Sequence, residues 1–165
     1  MSPDNSPTKI ENLSFLNPED IKLQNTHFLE QDGMEYHVGQ GLLDHRLRHD
    51  IWVVRNGDIK KLLQRFPYDE PLHDQCALWM QAFVGKHFFP DANHRTGVVI
   101  LREIMAENDL PPGDWDPERT RQVRDESHTV RGELPTITLA DIYQKDPLYD
   151  VWRRYFDDVL EYAKK

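Results

Sequence analysis

The sequence predicts an all-α protein, and two observations lead to that fold class. Apolar residues recur at the three- and four-residue intervals of an α-helix in most segments, most clearly at Cys76, Trp79, Met80, Phe83, Val84 and His87. Segments with the alternating pattern of a half-buried β-strand are scarce, and prolines and glycines divide the chain into short helical stretches.

The first helices are predicted from the residues that start and stop them. Asn17 precedes Pro18, and an asparagine cap followed by proline at the first helical position predicts a helix over 18–30. Two further short helices are predicted from Gly41 to Arg48 and from Asp58 to Phe66. We expect the last of these to end at Pro67.

A glycine-bearing stretch separates the first helix from the second. Residues 33–41 contain three glycines, and Tyr36 and Val38 alternate there with His37 and Gly39. This composition predicts a loop or a small hairpin.

Two apolar helices follow, joined by a polar loop. The apolar stripe described above ends at His87, and the next helix is predicted over 93–108. Pro111, Pro112 and Gly113 then stop the chain from continuing as helix.

The C-terminal third is predicted to be helical as well. A helix starts near Pro117, and its arginine-rich run over 119–131 alternates with acidic residues, as on a solvated helix face. Residues 138–141 resemble a capping box. The last helix, over 147–163, has a broad apolar and aromatic face, which either packs on the domain or forms a partner surface.

The length and composition indicate one domain and exclude several function classes. The chain has 165 residues, which fits a single domain over 13–165 with a helical extension at about 115–163, after a disordered tail over 1–12. Its formal charge is 20 − 29 = −9, which argues against nucleic acid and anionic membranes as partners. Cys76 is the only cysteine, so no intramolecular disulfide is expected. The sequence shows no secretory signal and no apolar run long enough for a membrane span, so we expect a cytoplasmic protein.

The polar loop between the two apolar helices combines residues suited to phosphate chemistry. It reads K-H-F-F-P-D-A-N-H-R-T-G from Lys86 to Gly97. The start of a helix binds phosphate through its free amide groups, and Arg95 and His94 add cationic donors. Asp91 is a ligand of the kind that Mg²⁺ prefers, and His87 can accept a proton near neutral pH. An ordinary loop with Asp91 or Asn93 as a helix cap is the alternative.

The same residues resemble the signature of the Fic/Doc (Fido) family, H-x-F-x-D-[AG]-N-[GK]-R-T. Seven defined positions match, and the match is nearest to the Doc, or death-on-curing, branch: His87, Phe89, Asp91, Ala92, Asn93, Arg95 and Thr96. Residues 41–47 also resemble the G-L-L-x-x-x-L segment of Doc-like proteins. The resemblance covers about residues 16–110.

The resemblance implies an all-α Fic/Doc-like bundle that modifies a hydroxyl group of a target protein, using ATP and Mg²⁺. His87 would be the general base, Asp91 would hold the metal, and Phe89 would pack inward to fix the loop. The phosphates would be bound by residues 92–96, namely Ala92, Asn93, His94, Arg95 and Thr96. A flap containing Tyr36, His37, Val38 and Gly39 would clamp the target by strand addition.

Two departures from the family pattern bear on the reaction. Adenylylating members carry glycine and arginine where this chain has His94 and Val98, and both differences disfavour AMP transfer. Doc-like members, which are protein kinases, carry lysine at the position of His94. The resemblance therefore favours a Doc-like kinase, the toxin of a toxin–antitoxin pair that acts on a translation-factor-like target. AMP transfer and a non-catalytic partner-binding module are the alternatives.

Overall fold

The computed structural model describes residues 8–30, 44–135 and 137–160, and every regular element in these ranges is helical. The elements are α1 (Pro18–Glu30), α2 (Asp44–Trp52), α3 (Asn56–Gln64), α4 (Leu72–Lys86), α5 (Asn93–Glu107), α6 (Pro117–Glu133), a 3₁₀ turn (Leu139–Asp141) and α7 (Pro147–Val159). The all-α prediction is thus confirmed. Among these helices, none combines the length and the apolar character needed to cross a membrane.

Side chains cap two of the helices whose starts the sequence predicts, α1 and α7. The Asn17 side chain accepts a hydrogen bond from the Asp20 amide at 3.1 Å, and the Asp20 carboxylate accepts one from the Asn17 amide. Asp146 accepts the Tyr149 amide proton at the start of α7. These bonds satisfy amide groups that a helix start leaves without partners, which explains why the predicted starts hold.

Helix α4 forms the centre of the fold. Nearly all of its side chains are buried, and α4 packs against both α5 and α7. Helix α6 packs against α7, and α1 packs against α2 and α5. The apolar stripe that ends at His87 therefore faces the core, and the loop after α4 emerges where α5 and α6 lie nearby.

Close packing of α4 on α5 fixes the loop between them. A Cβ atom on Gly97 would lie 3.2 Å from Met80 Cε and 3.3 Å from a ring carbon of Phe83. The Trp79 indole donates a hydrogen bond to the Gly97 carbonyl at 3.0 Å. The small residue thus allows the two helices to approach, and the indole holds them together next to the loop.

The predicted disordered tail is wrong over residues 8–12. The Ile10 side chain is fully buried, and its amide donates a hydrogen bond to the Gln75 side chain at 2.8 Å. The Asn108 side chain accepts the amide protons of Glu11 and Asn12. Buried amides of Gln75 and Asn108 give this segment hydrogen-bond partners that its polar composition did not reveal.

The aromatic face of the last helix packs on the protein itself. Trp152, Tyr155 and Phe156 of α7 are fully buried, and their rings contact one another. The described part of α7 ends near Leu160, where the predicted helix extends to residue 163. Of the two interpretations of this face, the structure agrees with packing on the domain.

Candidate active site

A pocket of about 240 Å³ opens where α4 ends, α5 begins and α6 passes. Its lining comes from the polar loop and from one face of α6, and consists of His87, Asp91, Ala92, Asn93, His94, Arg95, Arg124, Asp125, His128 and Arg131. Three guanidinium groups therefore meet two carboxylates there. The pocket has an excess of positive charge within a chain of net charge −9.

Two residues with left-handed backbone conformation shape the loop. His87 has φ 56° at the end of α4, and Ala92 has φ 60° just before α5. Residues with a Cβ atom rarely adopt this conformation, and such strain is common at functional sites. The two turns bring His87 and the start of α5 to the same pocket.

The Asn93 side chain holds the loop closed. Its oxygen accepts the Phe89 amide proton at 3.1 Å, and its nitrogen donates to the Phe89 carbonyl at 2.9 Å. The same nitrogen lies 3.1 Å from His87 Nδ1. Both amide protons of Asn93 are therefore used within the loop, and its predicted role toward phosphate stays a prediction.

Two other residues of the predicted phosphate site also have their amides occupied. The Ala92 amide donates to the Asp91 carboxylate at 2.7 Å, and the Thr96 amide donates to the Ala92 carbonyl at 2.9 Å. The Thr96 side chain is fully buried and accepts a hydrogen bond from Asn25. The bond from the Thr96 amide to the Ala92 carbonyl is the first of α5. The amides of residues 93–95 come before it, in the first turn, where the helix supplies no backbone acceptor.

His94 does not supply the positive charge that the sequence predicts. The residue is 5% exposed, and its Nε2 lies 2.7 Å from the hydroxyl of Ser127 on α6. Burial, and then the neighbouring His128, hold the pKa of His94 well below its ordinary value. The side chain is therefore neutral near pH 7 because α6 covers the ring, so it does not add the cationic donor that the sequence predicts.

His87 lines the pocket and is exposed to solvent. Enough protein surrounds the ring that desolvation, followed by the positive charge of Arg131, lowers the pKa of His87. The carboxylate of Asp91 opposes this shift. His87 is accordingly neutral at pH 7 and is placed to meet a ligand in the pocket.

Asp91 is half-buried beside the start of α5. Its carbonyl accepts a hydrogen bond from Asn25, and one of its carboxylate oxygens accepts the Ala92 amide. The part of the chain that the structure describes contains no group of three or more His, Cys, Asp or Glu side chains that could hold a metal. Mg²⁺ uses one or two carboxylates together with substrate phosphates, and Asp91 and Asp125 are the carboxylate residues that line the pocket.

Arg95 and Phe89 occupy opposite sides of the loop. Arg95 lines the pocket, and its guanidinium lies 5.0 Å from the centre of the Phe28 ring. Phe89 is 1% exposed and packs against Phe83 and Phe88 in the core. The charged side chain thus faces the ligand space, and the aromatic one anchors the loop.

Helix α6 contributes residues that the sequence assigned to a solvated face. Arg124, His128 and Arg131 follow one another at intervals of four and three, so they share one face of the helix and line the pocket. Arg131 Nε donates to the Val84 carbonyl at 3.1 Å. Arg124 Nε is buried and has no hydrogen-bond partner among the described residues.

A second, apolar pocket of about 370 Å³ adjoins the first. The two pockets share Arg95 and Arg124, and the second is otherwise lined by Gln24, Phe28, Val98, Val99 and Thr120. A polar compartment and an apolar compartment therefore meet at two guanidinium groups.

The predicted flap residues Tyr36, His37, Val38 and Gly39 lie outside the residues that the structure describes. Compared with models of protein families, with curated proteins and with solved structures, the chain has no significant match.

Proposed function

We propose that the pocket binds the phosphates of ATP and that the protein transfers the γ-phosphoryl group to a hydroxyl of a target protein. The observation that carries this proposal is the meeting of Arg95, Arg124 and Arg131 at the start of α5. A buried donor without a partner, such as Arg124 Nε, costs roughly 1–3 kcal/mol. A phosphate oxygen would remove that cost, and the amides of α5 would add further donors.

The sizes of the two pockets support a nucleotide as the ligand. The polar pocket, at about 240 Å³, is smaller than the roughly 300–1,000 Å³ that is usual for a ligand site. This volume suits the phosphates of a nucleotide without the rest of the molecule. The apolar pocket beyond Arg95 and Arg124 suits a flat base attached to those phosphates.

The choice of phosphoryl transfer over AMP transfer rests on Val98 and His94. Val98 lines the apolar pocket, at the position where adenylylating relatives of the resembled family carry arginine. A triphosphate extending into this pocket would meet no charge from that residue. His94 is buried and neutral, and its bulk stands where those proteins carry glycine.

In the reaction, the target oxygen forms a bond to the γ-phosphorus, and the bond from that phosphorus to the bridging oxygen breaks. ADP leaves with the electron pair, and the resemblance assigns the hydroxyl proton to His87. Asp91 and Asp125 would hold Mg²⁺, which supplies charge neutralisation for the phosphates. The arginines and the α5 amides orient the phosphates.

A non-catalytic binding module is a second candidate, and the Asn93 side chain favours it. The resemblance places that amide on phosphate, whereas both of its protons are used inside the loop. Such a module would bind ATP without transferring any part of it.

Label transfer tests the proposal. We expect ATP labelled at the γ-phosphate to label a target protein in the presence of Mg²⁺, and ATP labelled at the α-phosphate to leave it unlabelled. His87→Ala should reduce the transfer strongly. Transfer of the α-label would show adenylylation instead. Binding of ATP without any transfer would show the non-catalytic module, and equal transfer by His87→Ala would contradict the role of this pocket.

The toxin role, with an antitoxin as partner, is part of the same proposal because the resemblance implies it. We expect expression of the chain to arrest growth. The arrest should disappear in His87→Ala and on co-expression of a neighbouring small gene. Growth arrest that persists in His87→Ala would separate toxicity from the pocket.

A further inference from the structure

The contacts of Asn93 determine which nitrogen of His87 carries the proton. The orientation of the Asn93 amide follows from Phe89, whose amide needs an acceptor and whose carbonyl needs a donor. Reversing the amide would lose both bonds. The remaining proton on Asn93 Nδ2 therefore points to His87 Nδ1 at 3.1 Å, and Nδ1 must accept it.

We infer that Asn93 holds neutral His87 with its proton on Nε2, so that His87 offers the pocket an N–H donor and not a base. Nδ1 and Nε2 lie on opposite edges of the imidazole, and a neutral ring has one proton to place. Asn93 is thus a positioning residue. The tautomer is independent of the proposed function, and only the role of the donor toward phosphate rests on that function.

The surroundings of His87 keep the ring in this neutral form. An imidazolium would direct an Nδ1 proton at the Asn93 amide proton, and Arg131, His128 and Lys86 oppose a further positive charge, although Asp91 favours it. No described residue bonds to Nε2. The Nε2 proton is therefore available to a phosphate oxygen.

This assignment changes where the proton of the target hydroxyl goes. Nε2 already carries a proton and has no lone pair left to accept another. The lone pair of His87 is on Nδ1, where it accepts from Asn93, so His87 could take up the hydroxyl proton only as the disfavoured imidazolium. Phosphoryl transfer passes through a loose transition state that requires little help from a base. As the bond from the target oxygen to the γ-phosphorus forms and ADP departs with its electron pair, the proton passes to an oxygen of the transferred group.

Nuclear magnetic resonance of ¹⁵N-histidine in the free protein tests the tautomer directly. At a pH where His87 is neutral, Nε2 should show the resonance of a protonated nitrogen and Nδ1 that of an acceptor, with His87→Gln assigning the signals. Asn93→Asp replaces the donor with a second acceptor, so the proton should move from Nε2 to Nδ1. A proton on Nδ1 in the parent, or an unchanged tautomer in Asn93→Asp, would overturn the inference.

A matched control and a second measurement guard against loss of the fold. Asn108→Asp changes another buried asparagine that closes a segment by hydrogen bonds, and it should leave the His87 tautomer unchanged. In a uniformly ¹⁵N-labelled parent, a coupling through the hydrogen bond should join Asn93 Nδ2 to His87 Nδ1. This measurement needs no variant, and the absence of the coupling in a well-resolved spectrum would count against the inference.

Ligand binding tests the donor role. His87→Gln retains an N–H donor, so its affinity for ATP should stay within about threefold of the parent, whereas His87→Ala should lose about tenfold, as for one hydrogen bond to a charged group. Equal losses in the two variants would contradict the donor role. A parent that binds no ATP would overturn the proposed function and leave the tautomer result standing.

Discussion

The two walls of the pocket are built in different ways. The loop wall, residues 87–96, is one continuous stretch in which the Asp91 and Asn93 side chains bond to atoms of the same stretch. The helix wall is one face of α6, where Arg124 and Arg131 lie two turns apart among exposed polar residues. The first wall holds a shape, and the second supplies charge.

The loop wall therefore determines the geometry of the site, and the helix wall determines most of its affinity for a ligand. The amide of Asn93 and the ring of Phe89 position His87 and the start of α5. The charge that draws a phosphate comes mostly from α6, because His94 on the loop wall is neutral. Substitutions on α6 should therefore weaken binding with little change in fold, and substitutions at the contact between the walls should weaken the fold.

The largest expected effect is on ligand binding by the helix wall. Replacing Arg124 and Arg131 together by glutamine should lower the affinity for ATP about 100-fold or more, because each guanidinium is worth roughly 1.5–3 kcal/mol to a phosphate. Isothermal titration calorimetry in the presence of Mg²⁺ measures this affinity.

Arg121→Gln is the matched control for that experiment. Arg121 is exposed on the same helix, does not line the pocket, and contacts Glu118 at 3.6 Å. Its affinity for ATP should equal that of the parent, since exposed ion pairs contribute little. An equal loss in Arg121→Gln would show that general charge, and not the helix wall, attracts the ligand.

The contact between the two walls should have an intermediate effect, on stability. Ser127 of α6 is fully buried, accepts the Trp152 indole proton at 3.0 Å and lies 2.7 Å from His94 Nε2. Ser127→Ala leaves both partners buried without a hydrogen bond, which should lower the free energy of unfolding by about 2 kcal/mol. Urea denaturation followed by tryptophan fluorescence measures the change.

Thr129→Ala provides the comparison for Ser127. Thr129 is exposed on the same helix, and its hydroxyl bonds only to the Asp125 carbonyl one turn earlier. Its loss should change the stability by less than about 0.5 kcal/mol. If both variants lose the same amount, the loss follows from removing any hydroxyl group from α6 and not from the contact with His94.

Much of the fold could be predicted from the sequence because its signals are local. Pro18 and Pro147 mark helix starts that the structure shows at the same residues, and the stripe ending at His87 faces the core. The burial of Ile10 could not be predicted, since it depends on Gln75, 65 residues away. Local composition gives no sign of such a partner.

The candidate site likewise has one part that the sequence predicts and one part that depends on packing. The loop residues stand together in the sequence, so their chemistry is visible there, although the direction of each amide is not. On α6 the spacing of Arg124, His128 and Arg131 was present in the sequence, but the same spacing occurs on any solvated helix. The approach of α6 to α5 decides that these residues are functional candidates and that His94 is buried, and this approach depends on packing with α7.

The smallest expected effect is a change in the pH dependence of stability. The pKa of His94 lies well below its ordinary value because the folded protein buries the ring, whereas the unfolded chain titrates near pH 6.5. As the pH falls below 6.5, the unfolded state gains a proton that the folded state does not bind, so stability decreases toward acid.

His94→Gln should remove the contribution of one proton to this slope, which is at most about 1.4 kcal/mol per pH unit. His87 and His128, whose pKa values are also lowered, keep part of the slope. Trp152→Phe weakens the same cluster without removing a titrating group and should retain the slope of the parent. Urea denaturation at pH 7.5, 6.5 and 5.5 compares the parent, His94→Gln and Trp152→Phe. An unchanged slope in His94→Gln would mean that His94 binds a proton in the folded protein as it does in the unfolded chain, and that the folded side chain can carry a positive charge.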